Sequence, residues 1–164
     1  MRRFLMLVGV STTAALLLLG CGSDSDAGSN NGAITQCVGN NAEFTLTEFI
    51  AQTEADKACS SESDATNVCG HDMPLIGGTC GKGCLGMGDD AVQAECVAAC
   101  IHDKLAKPLS VDCVACYTAD VECARKKCLT TCGLGPTSAE CATCRADNGC
   151  TAAFYECSGL PEPG

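Results

Sequence analysis

Residues 80–157 read CGKGCLGMGDDAVQAECVAACIHDKLAKPLSVDCVACYTADVECARKKCLTTCGLGPTSAECATCRADNGCTAAFYEC and hold thirteen of the 17 cysteines of the chain. Most of these cysteines fall in close pairs: Cys80/Cys84, Cys96/Cys100, Cys113/Cys116, Cys128/Cys132 and Cys141/Cys144. Helical residues four apart lie one above the other at about 6 Å, and residues three apart at about 4.5 Å. Two such pairs on antiparallel helices can therefore form two nested disulfides, the first cysteine with the last and the second with the third.

Helix start and stop signals divide the same stretch. An Asp at 89 or 90 can cap a helix through Ala91–Leu105, which Pro108 ends. Ser110 can cap a second helix at about 111–132. Thr137 or Ser138 can cap a third helix, which Asn148-Gly149 interrupts, and a final short helix is expected over Cys150–Cys157. No strand-like alternation longer than a few residues occurs, so the sequence predicts an all-α fold of small disulfide-rich helical hairpins or a bundle.

The segment before residue 80 carries weaker signals. Thr45-x-x-Glu48 has the pattern of a capping box and predicts a helix at about 46–59. Residues 60–79 have no clear period and predict a loop with at most one helical turn around Cys69. Residues 80–88 formally match G-x-G-x-x-G, but a dinucleotide site needs a preceding strand and a βαβ unit, so a Gly-rich turn is the better interpretation.

The N-terminus has the features of a targeting signal. Arg2 and Arg3 precede a mostly apolar stretch at 4–19, and Leu18-Leu19-Gly20-Cys21 resembles the lipobox of bacterial lipoproteins. The resemblance implies diacylglycerol on the Cys21 sulfur, cleavage before it, and acylation of the new amino terminus. Gly22 in place of Asp favours the outer membrane, with the body in the periplasm or on the cell surface. An ordinary secretory signal or an uncleaved anchor remains the alternative.

The chain therefore divides into four parts. We expect a signal peptide at 1–20, a lipidated Cys21 with a flexible polar linker to residue 36, a cysteine-rich helical domain at 37–157, and a short disordered tail at 158–164. The formal net charge is −10, and loss of the two arginines in 1–20 makes it −12. So acidic a body is unsuited to nucleic acid and to direct contact with anionic lipid.

Composition indicates that disulfides replace part of the hydrophobic core. Leu, Ile, Val and Phe number 22 of the 144 residues after position 20, and Trp is absent. Such a fraction is low for a self-supporting core, whereas the cysteine content is typical of an exported disulfide scaffold. If Cys21 carries lipid, sixteen of the 17 cysteines remain, an even number that allows eight bridges.

Residues 96–116 and 128–144 resemble the α-hairpinins, in which two Cys-x-x-x-Cys motifs pair across a turn, although the second motif here is one residue shorter. On this resemblance we expect the bridges Cys96–Cys116, Cys100–Cys113, Cys128–Cys144 and Cys132–Cys141. A rival arrangement pairs Cys80/Cys84 with Cys96/Cys100. Cys37, Cys59, Cys69, Cys123, Cys150 and Cys157 stay unassigned, because connectivity does not follow from spacing alone.

The same sulfurs permit several functions. Thiolates on helices suit Cu(I), and the pattern distantly resembles the cysteine-rich four-helix copper-storage proteins, but an exported compartment is oxidising. The two Cys-x-x-Cys motifs also have zinc-ligand or redox spacing, without the βαβ context of a thioredoxin. We expect no cofactor, no metal site and no catalytic residue. The sequence predicts a non-catalytic structural or interaction module of the envelope, with the bilayer and an unidentified envelope protein or ligand as partners; the alternative is a Cu(I)-thiolate storage protein.

Overall fold

The computed structural model describes residues 34–164, and within that range the chain forms seven α-helices after a short 3-10 turn at Gly39–Asn41. The helices are α1 (Leu46–Gln52), α2 (Glu62–Cys69), α3 (Met73–Gly83), α4 (Asp90–Lys104), α5 (Val111–Cys132), α6 (Ala139–Asp147) and α7 (Cys150–Ser158). The only β-type pairing among these residues is an isolated bridge between Gln36 and Thr45. The prediction of an all-α fold is confirmed.

Polar N-caps define where the helices begin. In the first six helices, a capping side chain accepts a hydrogen bond from the backbone N–H three residues further on, which satisfies one of the free donors of the first turn. These caps are Thr45, Ser61, Asp72, Asp89, Ser110 and Ser138. Helix α7 instead follows Gly149, whose φ of 75° lies in the left-handed region that glycine tolerates.

The prediction of a loop at 60–79 is wrong, because this segment contains α2 and the greater part of α3. Both helices have good N-caps, but their apolar residues do not recur at helical spacing, and the glycines of α3 are typical of a turn. The sequence therefore did not indicate helices here. The predicted first helix is also too long, since α1 ends at Gln52 and Thr53 turns into extended backbone. The last turn of α5 is kinked at Cys128, where φ is −128° and ψ is 18°.

The core is rich in sulfur. Ten of the 22 buried apolar residues are cysteines, and seven of these ten belong to one core cluster with large side chains such as Phe49, Met73 and Ile101. Helix α5 is the central element, in contact with α3, α4, α6 and α7, while α1 packs on α2. The long helix thus carries most of the framework against which the others are cross-linked.

The end of α7 and the residues directly after it are packed, so the prediction that the tail is disordered is wrong. Ser158 is fully buried and Leu160 is 6% exposed. The carbonyls of Ser158 and Gly159 accept hydrogen bonds from the N–H groups of Cys59 and Glu54 at 3.0 and 2.7 Å. These bonds tie the end of the chain to the loop after α1, because backbone groups in a buried segment need partners.

The ordered body also begins slightly before the predicted boundary at Cys37. The N–H of Leu46 donates to the carbonyl of Thr35 at 3.2 Å, and the Gln36 side-chain amide donates to the carbonyl of Phe44 at 2.9 Å. Cys21 and the signal peptide lie outside the described residues. Within residues 34–164, no helix has both the length and the apolar character needed to cross a membrane.

Candidate functional site

Every cysteine from Cys37 onward is paired in a disulfide. The eight bridges are Cys37–Cys69, Cys59–Cys113, Cys80–Cys100, Cys84–Cys96, Cys116–Cys157, Cys123–Cys150, Cys128–Cys144 and Cys132–Cys141. Their Cα–Cα separations run from 4.4 to 5.9 Å, within the usual range for disulfides. The prediction of a disulfide-rich helical body is confirmed.

Only one of the two predicted hairpins has the expected bridges. The structure contains Cys128–Cys144 and Cys132–Cys141 between the end of α5 and α6. The predicted Cys96–Cys116 and Cys100–Cys113 are wrong, because the cysteines of α4 pair with those of α3, as in the rival arrangement.

The two cysteines of α5 that were expected to face α4 have other partners. Cys113 pairs with Cys59, and Cys116 pairs with Cys157 in α7. The physical reason for the error is that α3 offers the same Cys-x-x-x-Cys spacing as α4, so both nested arrangements satisfy helix geometry equally well. Recognition of 73–83 as a helix would have been needed to choose between them.

The bridges form two nested stacks in series. In the N-terminal stack, Cys59–Cys113 encloses Cys80–Cys100, which encloses Cys84–Cys96. The C-terminal stack nests four bridges in the order Cys116–Cys157, Cys123–Cys150, Cys128–Cys144 and Cys132–Cys141. Cys37–Cys69 overlaps the outermost bridge of the N-terminal stack. Each stack therefore cross-links its own antiparallel helices.

Neither Cys-x-x-Cys motif forms a disulfide within itself. Cys113 and Cys116 pair with distant residues, and they are 0% and 1% exposed. Cys141 and Cys144 likewise pair with residues of α5. A thioredoxin-like motif needs an accessible pair that closes and opens within the motif. In the described part of the chain, no group of three or more His, Cys, Asp or Glu side chains is placed to hold a metal ion.

A groove with a volume of about 720 Å³ is present among the described residues. Residues of α3, α5, α6 and α7 line it, together with the 3-10 turn at Gly39–Asn41, the turn before α6, and Leu160 and Pro163 of the C-terminal segment. The groove lies where the cross-linked helices of the C-terminal stack meet α3. Binding sites for small molecules usually have volumes of about 300–1,000 Å³.

Glycines on α3 shape one wall of the groove. Gly77, Gly78 and Gly81 lie on one face of the helix and approach Val121 of α5 and Pro136 of the turn before α6. A Cβ atom on Gly81 would lie 2.7 Å from Val121 Cγ1, and one on Gly78 would overlap the Pro136 ring. Side chains at these positions would therefore push the helices apart or fill the groove.

An ion pair contributes the charged part of the wall. Arg145 Nη2 donates to Asp120 Oδ2 at 2.6 Å, and the two side chains are only 19% and 13% exposed. Burial raises the pKa of the Asp120 carboxyl, and the Arg145 guanidinium partly offsets this effect. Asp120 Oδ1 and Arg145 Nε are buried with no hydrogen-bond partner among the described residues. The pair is thus held in a low-dielectric place with two of its polar atoms unsatisfied.

Three aromatic rings from α5 and α7 line the groove beside this ion pair. The ring centroids of Tyr117 and Phe154 lie 4.8 Å apart, and those of Phe154 and Tyr155 lie 5.1 Å apart. Burial raises the pKa of Tyr155 to about 12 and also raises the pKa of Tyr117 well above its usual value, so both hydroxyls stay neutral at physiological pH. The cluster gives the groove an aromatic and uncharged floor.

The residues of the groove belong to no motif that the sequence displays. Two signals could have indicated it: the glycines at 77, 78 and 81, which share one face if the segment is helical, and the placement of both tyrosines of the chain near the C-terminal cysteines. Comparison of the chain with protein-family models, with curated proteins and with solved structures finds no match. A mostly apolar groove with one ion pair is suited to binding.

Proposed function

We propose that the chain is a membrane-anchored envelope lipoprotein whose disulfide-cross-linked body acts as a structural or interaction module. The lipobox-like Leu18-Leu19-Gly20-Cys21 supports acylation of Cys21, and the polar stretch that follows it supports display of the body away from the bilayer. Gly22 supports the outer membrane, with the body in the periplasm or on the cell surface.

The observation that carries the scaffold part of the proposal is that all sixteen cysteines of residues 34–164 are bridged. Cu(I) and zinc bind thiolates, and a sulfur in a disulfide is not a thiolate. The bridged form therefore favours a scaffold over a Cu(I)-thiolate store. If Cys21 carries lipid, each of the 17 cysteines of the chain has its sulfur bonded either to a lipid or to another cysteine.

The groove between α3, α5, α6 and α7 is the part of this scaffold that we assign to interaction. Its apolar and aromatic walls are held by the C-terminal stack of bridges, which restricts the motion of α6 and α7 relative to α5. A rigid site loses little conformational freedom when a ligand binds. The cross-links would thus serve binding as well as stability.

The first test is a count of free thiols in the mature protein taken from its native membrane. The protein is alkylated under denaturing conditions, once without reductant and once after reduction, and its intact mass is measured. We expect no alkylated cysteine without reductant and sixteen after reduction, with a further mass increment from acyl groups. Many free thiols together with bound copper would establish the storage protein instead.

The second test concerns the anchor. Cys21→Ser removes the acylated sulfur, and we expect the variant to leave the membrane fraction and to lose the acyl mass. Ser23→Ala is the matched control, because it changes a nearby residue of the same stretch and should fractionate like the unmodified protein. A Cys21→Ser protein that stays in the membrane fraction would show that the lipobox assignment is wrong.

A further inference from the structure

We propose that the groove binds a small, uncharged, aromatic or otherwise apolar molecule. This inference rests on the proposed role of the body as an interaction module, and it names the chemical class of the ligand. Three properties of the groove support it: its size, the nature of its walls, and the pairing of its charges.

Size favours a small molecule. The volume of about 720 Å³ falls within the range typical of small-ligand sites. Interfaces between proteins are usually flatter and bury about 800 Å² on each partner. A groove enclosed by four helices and by the C-terminal segment admits a compact ligand more readily than a folded surface.

The walls favour an apolar ligand with aromatic character. The rings of Tyr117, Phe154 and Tyr155 lie side by side, and a planar ring could pack on them in the offset or edge-to-face arrangements that aromatic groups prefer. The glycine face of α3 and Val121 add backbone and methyl groups to the lining. Transfer of an apolar ligand from water to such walls contributes roughly 25 cal/mol for each Å² buried.

Both arginines that line the groove are already paired with carboxylates of the protein. Arg145 is paired with Asp120 at 2.6 Å, and Arg125 is paired with Asp90 at 2.5 Å. The Asp72 carboxylate caps α3 by accepting from the N–H of Leu75. The remaining ionised side chains in the wall are Lys82 and Glu162, which are exposed and of opposite sign. An ionic ligand would lose hydration and could gain only these two solvent-exposed charges, whose interactions are weak in water, so an uncharged ligand is favoured.

The protein carries its own reporter for this site. The chain has no Trp and two Tyr, and both tyrosines line the groove. Quenching of the intrinsic tyrosine emission therefore reports that a ligand is bound to the protein, and variants of the groove are needed to show where it binds. The reporter needs no label and works on the full chain in detergent.

The test compares two dyes that share one ring system. N-phenyl-1-naphthylamine is uncharged, and 8-anilino-1-naphthalenesulfonate has the same rings with an added sulfonate. Each dye is titrated into the full chain in the same detergent, and tyrosine emission is followed. We expect saturable quenching by the uncharged dye and a Kd at least tenfold higher for the sulfonate. Equal or tighter binding of the sulfonate, or no saturable quenching by either dye, would overturn the proposal.

Two variants establish where the dye binds. Ala142 of α6 is an exposed residue in the wall, and Ala142→Phe should fill part of the groove and raise the Kd of the uncharged dye at least tenfold. Ala152→Phe is the matched control, because Ala152 is exposed on α7 away from the groove. Far-UV circular dichroism checks that both variants are folded. Equal Kd values for the two variants would place the dye elsewhere and refute the site.

Failure of this proposal can be told apart from failure of the proposed function. The thiol count and the fractionation of Cys21→Ser do not depend on the groove. A protein that passes both tests but does not bind the uncharged dye would keep its role as an anchored scaffold and lose this ligand class.

Discussion

The close contact between α3 and α5 can be tested by adding one methyl group. Gly81→Ala would place a Cβ atom 2.7 Å from Cγ1 of Val121, well inside van der Waals contact. Gly81 lies inside α3, so the contact can be relieved only by a shift of the helices or by a less favourable rotamer of Val121. Both helices are held by disulfides, α3 to α4 and α5 to α7 among others, which limits such a shift.

Two opposing effects set the size of the change. Replacing Gly by Ala within a helix stabilises the fold by about 0.5–1 kcal/mol, because the unfolded chain has less freedom to lose. An extra carbon in a well-packed contact costs about 1–3 kcal/mol. We therefore expect Gly81→Ala to lower the free energy of unfolding by about 1 kcal/mol, as the sum of these two ranges.

A size-swap variant and a matched control separate the two effects. Val121→Ala removes the methyl groups that the new Cβ would meet, so the double variant should be more stable than additivity predicts by about 1 kcal/mol or more. Gly83→Ala introduces the same atom two residues further along, where no heavy atom lies within 4 Å. We expect this control to be neutral or to stabilise the protein by up to about 1 kcal/mol.

The assay is guanidinium chloride unfolding followed by far-UV circular dichroism, without reductant so that all bridges stay closed. Equal stabilities of Gly81→Ala and Gly83→Ala would refute the reasoning, because the close contact would then have no energetic effect. Additivity of Gly81→Ala and Val121→Ala would likewise show that the two positions do not compete for space.

Three further variants or conditions test other parts of the structure. Asp64 accepts from the N–H and hydroxyl of Ser110 at 2.8 and 2.7 Å, so Asp64→Ala should cost about 3 kcal/mol in the same unfolding assay, and Asp64→Asn clearly less. Asp120→Ala leaves Arg145 largely buried and unpaired and should cost about 2–3 kcal/mol, whereas a change within error would mean that water already compensates the charge. Burial raises the pKa of Tyr155 to about 12, so the contribution of its neutral hydroxyl to the stability of the fold should be complete below about pH 10 and should fall as the pH rises towards 12. Rapid ultraviolet titration of the folded protein and of the reduced, unfolded protein checks this. Tyrosine ionisation near pH 10 in both forms would contradict it.

Local signals in the sequence identify the later helices well. Asp89 and Ser110 cap α4 and α5 where expected, and Gly149 precedes α7, because capping depends on chemistry within one turn of the helix. Helix α3 was missed because its glycines lower helix propensity, and only their contacts with Val121 and Pro136 explain why they are there. In α3, tertiary packing thus stabilises a helix that the local sequence disfavours.

The disulfides show the same division between local and distant information. Cys132–Cys141 and Cys128–Cys144 close short loops across one turn, and the resemblance of this segment to a stapled helical hairpin predicts them correctly. Cys59–Cys113 joins residues 54 apart in sequence and depends on how α5 packs on the loop before α2. The groove could not be predicted for the same reason, since its walls come from segments that are distant in sequence.

The two stacks of bridges meet at a joint that carries no cross-link. Every peptide bond between residues 37 and 113 is spanned by at least one disulfide, and so is every bond between residues 116 and 157. The three bonds from Cys113 to Cys116 are spanned by none. A protease could therefore cut any single bond elsewhere in 37–157 without releasing a fragment, and only a cut at this joint would divide the body into two pieces. The joint lies in the first two turns of α5, where Cys113, Val114 and Cys116 are buried although Ala115 is exposed, so the helical backbone protects the one segment that no disulfide spans.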